Sequence, residues 1–131
     1  MTEAPLLLAI VELGGYPDFS DLYRRAGYRP ETVTSMRKAL ARLKSGSPAL
    51  VVAEFNFQSD FRDRTSSLES LLATLQARHP QTRLLVFYEP AHLAAFDERV
   101  RSRWRIDAAL PFPIDPAALE RAVAGLKEEA P

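Results

Sequence analysis

Residues Gly27–Phe55 read GYRPETVTSMRKALARLKSGSPALVVAEF, and the hydrophobic pattern changes period twice along them. Arg29–Val33 has strand character, and Pro30 restricts it to a sheet edge, because proline cannot donate to a ladder on both sides. Met36, Ala39, Leu40 and Leu43 then recur at i, i+3, i+4 and i+7, the spacing of one helical face. Gly46 falls just past that helix, where a left-handed residue is expected. Ala49–Phe55 hardly alternates, which predicts a strand buried on both faces. Strand, helix and buried strand in this order make a parallel crossover unit.

The same alternation extends in both directions. Leu6–Val11 and Arg83–Tyr88 read as further buried strands, and Ala108–Leu110 as a weaker one. Helical faces are predicted at Phe19, Leu22, Tyr23 and Ala26, with Gly27 past their end, and at Leu68, Leu71, Leu72 and Leu75. A looser face carries Leu93, Phe96, Val100 and Trp104, and a last one Leu119, Ala122, Val123 and Leu126. Ser66 and Glu69 match a capping box. Asp115–Pro116 supplies an N-cap and a first-turn proline, and Pro80 closes the helix before it. Five strand–helix repeats predict a parallel sheet covered by helices on both faces. With strand two at an edge, the expectation is an α/β, flavodoxin-like (βα)5 doubly wound sheet of order 2-1-3-4-5. It forms a single domain over residues 1–131, with the core in 5–126.

Composition narrows the function. Apolar residues make up 47% and charged residues 26%, a soluble globular profile. Seventeen basic residues balance seventeen acidic ones, so no global field draws the chain to nucleic acid. There is no cysteine, which removes disulfides, thiolate catalysis and thiolate metal sites. The longest apolar run, Leu6–Val11, is far short of the ~20 residues that span a bilayer, and no basic region precedes it as in a signal peptide. A cytoplasmic location without membrane association is expected.

Asp107–Leu126, DAALPFPIDPAALERAVAGL, resembles the fifth strand, lysine–proline turn and last helix of response-regulator receiver domains, the CheY-like family. Gly27–Phe55 matches the receiver run from second strand to phosphorylation site without a gap. The resemblance implies a site at the carboxyl ends of the strands, and the residues there depart from the family's chemistry. Glu54 stands at the phosphoacceptor aspartate. Of the acidic pair that holds magnesium, only Glu12 is present. Tyr88 replaces the threonine or serine that ends the fourth strand. Phe112 replaces the lysine, while Pro113 keeps the turn and implies a cis Phe112–Pro113 bond. Asn56–Thr65 is longer and more charged than the family's loop, and Asn56 opens it beside the former pocket. An acyl phosphate needs an in-line carboxylate, a divalent cation and a cation for the equatorial oxygens. A displacement of ~1 Å can cost ~100-fold, and glutamate is one methylene too long. Glu12, Glu54, Asn56, Tyr88, Phe112 and Pro113 therefore read as a degenerate phosphorylation pocket, with no metal, no cofactor and no catalytic residue. Glu54 is either a partial mimic of the phosphorylated state or a carboxylate retained from ancestry.

A candidate partner surface combines Phe57 and Phe61, in the charged loop, with Arg101, Trp104 and Arg105. Aromatic and arginine side chains are enriched at binding hot spots. In the family, the surface from fourth helix to fifth helix docks partners and dimerises, which implies a candidate homodimer face. The bland alternative is a solvated arginine face over Arg99–Arg105. His79 and His92 read as surface residues. Gly14–Gly15 is similar to a phosphate-binding turn but lacks the G-x-G-x-x-G spacing. The expected function is a phosphorylation-independent protein-interaction and regulatory module, a stand-alone pseudo-receiver in bacterial signalling with no output domain. The alternative is a small-ligand or nucleotide-binding flavodoxin-like domain near Gly14, Glu54, Tyr88 and Phe112. A third reading, an active receiver using Asp60 or Asp63, has no cation placed to support it.

Overall fold

The computed structural model describes residues 4–55 and 67–129. Five strands, β1 (Leu6–Ile10), β2 (Arg29–Val33), β3 (Leu50–Glu54), β4 (Arg83–Tyr88) and β5 (Ala108–Pro111), form one sheet of order β2-β1-β3-β4-β5. Every pairing is parallel, as the alternation of elements requires. The helices are α1 (Ser20–Arg25), α2 (Met36–Leu43), α3 (Ser67–Arg78), α4 (Leu93–Phe96) and α5 (Pro116–Glu129).

The central strand β3 is buried at all its positions because both of its faces carry core. On one side Leu8, Val51, Ala53 and Val86 pack against Met36, Leu43, Leu71, Phe96 and Val100 of α2, α3 and the α4 region. On the other, Leu7, Leu50, Val52, Leu85 and Phe87 pack against Leu22, Tyr23, Leu119 and Val123 of α1 and α5. Burying each such leucine or phenylalanine contributes about 1.5–3 kcal/mol, so the two layers hold the sheet from both sides.

Local signals fix the helix starts. Ser35 Oγ accepts from Lys38 N at 3.1 Å ahead of α2, and Asp18 Oδ1 accepts from Ser20 N at 3.0 Å ahead of α1. Asp115 Oδ1 accepts from Ala117 N at 3.2 Å, with Pro116 first in α5. Ser66 of the capping-box pattern lies outside the described residues. Gly27 has φ +98°, as its place after α1 demands. Gly46 does not take the left-handed conformation expected of it. Instead α2 ends in a right-handed turn in which Lys44 N and Ser45 N donate to Ala41 O and Arg42 O.

Three further expectations are corrected. The fourth helix is not one regular helix: a 3-10 turn over Pro90–His92 leads into α4, and a π turn follows over Asp97–Arg101. The wider turn, with Ser102 N donating to Asp97 O at 2.9 Å, keeps Phe96 and Val100 in the core and leaves Trp104 beyond the helix. His79 is buried, not superficial, and the hydroxyl of Ser47, from the loop between α2 and β3, reaches its Nδ1. Strand ends also shift: β1 and β3 are shorter than read, and β5 continues to Pro111. Among the described residues no helix is long and apolar enough to cross a membrane.

Candidate functional site

The carboxyl ends of β1, β3, β4 and β5 share one edge of the sheet, where an open α/β sheet leaves a crevice. Glu54 is the last residue of β3 and is 3% exposed. Its register partner is Phe87, on the α1–α5 side of the sheet. A buried carboxylate needs donors, and the loop after β1 supplies them. Leu13 N donates to Oε1 at 3.0 Å, Gly14 N to Oε2 at 3.4 Å, and the Tyr16 hydroxyl to Oε2 at 2.6 Å. The loop can turn its amides inward because Gly14 and Gly15 have φ of +71° and +83°, a region that suits glycine.

Tyr16 forms a lid. Its ring meets Phe87 edge-on at 5.2 Å and stacks on Phe112 at 5.8 Å and on Phe19 at 6.0 Å. Burial, followed by the hydrogen bond to Glu54 and its charge, pushes the phenol above its ordinary range, so it stays a donor. Glu12, beside this group, has its carboxyl raised by burial and then by the charge of Glu54. Around them opens a cleft of about 590 Å³, lined by Leu13–Pro17, Glu54, Phe55, Glu89, His92 and Phe112–Ile114.

The sequence-predicted residues divide. Glu12 and Glu54 lie together, and Phe112 and Pro113 line the cleft through a cis peptide bond. Tyr88 is not among the lining residues. It packs on the opposite sheet face, stacked on Phe96 at 5.2 Å. Asn56, Phe57 and Phe61, with Asp60 and Asp63, lie outside the described residues. Trp104 and Arg105 line one cleft together with Arg103, and Arg101 is not among its lining residues. Arg101 faces Asp97 at 3.4 Å and lies over the Phe96 ring at 5.9 Å. Arg105 donates to Thr82 O at 3.0 Å and faces Asp107 at 3.6 Å. Trp104 is half-buried between them, packed on the α2–α3 side of the core. Three contributors were missed, Leu13, Tyr16 and Glu89. The only signal was an aromatic residue between a glycine pair and a proline in the loop.

Both oxygens of Glu54 already accept hydrogen bonds, and no lysine or arginine is among the lining residues described. Among the described residues, no group of three or more His, Cys, Asp or Glu could hold a metal.

No protein-family model matches the sequence, and no curated protein does. Solved structures match it closely in shape. A response regulator receiver protein from Sinorhizobium medicae is 23% identical, with TM-score 0.73 and 98% of each chain covered. The receiver domain of NtrX from Brucella abortus is 17% identical, with TM-score 0.74, 94% of this chain and 98% of that one. A response regulator receiver domain protein from Clostridium thermocellum is 14% identical, with TM-score 0.72, 95% of this chain and 94% of that one. The fold is the receiver fold, with the flavodoxin-like strand order read from the sequence.

Proposed function

We propose that this chain is a pseudo-receiver: a regulatory module of bacterial-type signalling that acts through protein interaction without phosphorylation and without enzymatic activity. One observation carries the reading. The carboxylate at the receiver's phosphoacceptor position is buried and accepts hydrogen bonds on both oxygens from Leu13 N, Gly14 N and the Tyr16 hydroxyl. A phosphoryl donor would have to displace those bonds, with Phe112 where a cation is needed. Glu54 acts as a structural anchor that holds the loop after β1 in one shape, and that shape is what a partner reads. The α4–β5–α5 surface, where Leu93 is 38% exposed, is the face for a protein partner or a second copy. Incubation with acetyl phosphate followed by intact-mass analysis tests this reading: the unmodified mass is expected, and a stable adduct on Glu54 overturns it.

A second reading, small-ligand binding, is favoured by the cleft itself, whose volume is in the range of ligand sites. Its nucleotide version is not favoured, because the loop amides that would meet a phosphate already donate to Glu54. A thermal-shift panel of nucleotides is expected to give no stabilisation.

A further inference from the structure

We infer that the cleft is a binding site for an organic cation, an ammonium or guanidinium group on an apolar stem. This goes beyond the interaction-module reading and does not depend on how that reading fares. Three features of the lining carry it. The first is charge. Glu54, Glu89 and His92 line the cleft, no lysine or arginine does so among the described residues, and Glu12, outside the lining, stands beside Glu54. Neither Glu12 nor Glu89 forms an ion pair among those residues. The three hydrogen bonds to Glu54 come from neutral donors, so they satisfy its oxygens and leave its negative charge in place.

The second feature is the walls. The rings of Tyr16 and Phe112, stacked on each other with centroids 5.8 Å apart, line the cleft beside the carboxylates. Aromatic lining next to carboxylates accepts the apolar stem that carries a cation. The third is size. A volume of about 590 Å³ is far larger than a bare metal ion needs, and no metal-type ligand group is present among the described residues. Anions meet the opposite situation: two carboxylates repel them, and the amides of Leu13 and Gly14 are already used. Burial and the charge of Glu54 raise the affinity of Glu12 for a proton, and a bound cation relieves the same repulsion.

The cation has two sources, a free amine or the lysine or arginine side chain of a partner. The test is an NMR titration of the 15N-labelled chain with butylguanidinium and phenethylammonium, using butylurea and inorganic phosphate as neutral and anionic controls. Saturable shifts of the Gly14 and Gly15 amides are expected with the two cations only. Glu89→Gln, at an exposed position, leaves the fold intact and weakens binding by about threefold. A capped Gly-Arg-Gly peptide that binds more tightly than butylguanidinium assigns the site to a partner's side chain, and equal binding assigns it to a small amine. Shifts as large with butylurea or phosphate, no shift with either cation, or unchanged binding in Glu89→Gln each overturn the inference. All three leave the acetyl phosphate result unaffected.

Discussion

The hydroxyl of Tyr16 donates to Oε2 of Glu54 at 2.6 Å, joining the loop after β1 to the end of β3 across 38 positions of sequence. Tyr16→Phe removes this donor while keeping the ring against Phe87 and Phe112. A hydrogen bond to a charged group contributes about 1.5–3 kcal/mol, and the variant is expected to lose that much in urea denaturation with an unchanged m-value.

Restoring an aspartate does not restore a receiver. Glu54→Asp is expected to remain unmodified by acetyl phosphate, because Phe112 still offers no charge to the equatorial oxygens and the metal ligands are still incomplete. Intact-mass spectrometry of the variant reads this directly. A phosphorylated Glu54→Asp would mean that the length of one side chain was the whole barrier.

Glu12 gives a pH-dependent prediction. Its folded pKa lies above the ordinary value of 4.5, so the folded state binds its proton more tightly than the unfolded state does. Its contribution is therefore fully present below the unfolded pKa and is lost as pH rises through the folded one. Glu12→Gln removes that loss. It is expected to be more stable than the parent at pH 7, by less than about 1 kcal/mol because the site is partly exposed. The difference should vanish below about pH 4. Thermal melts of both proteins across this range check the sign.

At the opposite end of the sheet, Asp107 is an anchor of another kind. Its side chain, 9% exposed, accepts from Leu84 N at 2.8 Å and faces Arg83 at 3.5 Å and Arg105 at 3.6 Å. Asp107→Ala leaves a backbone donor of β4 without its acceptor, which costs about 1–3 kcal/mol. Asp115→Ala removes one exposed cap and is expected to cost about 1 kcal/mol. Urea denaturation of the two variants ranks them.

The sheet was legible because parallel strands buried on both faces leave unbroken apolar runs: the limits read for β2 and β4 are those observed, and Pro30 placed the edge. Glu54 could be placed because it ends the most buried strand. Its lid could not, since the Tyr16 hydrogen bond depends on a glycine turn whose direction only tertiary contacts define. Tyr88 was misplaced for a simpler reason. Strand side chains alternate, and the residue after Phe87, the partner of Glu54, must face the other side. Trp104 was read onto a loose helical face, and a π turn breaks the period before it. His79 was read from its own helix alone, and Ser47 comes from elsewhere in the chain.

The proline in β2 limits how copies of this chain can join. Arg29 N donates inward to Pro5 O at 2.8 Å, so the backbone nitrogen of the next residue points away from the sheet, and that residue is Pro30. The outer rim of β2 thus lacks one donor where a sixth strand would dock, which disfavours fusing the sheets of two molecules there into a continuous ribbon. Association on that side falls more to side chains, which sequence change can retune without touching the backbone frame.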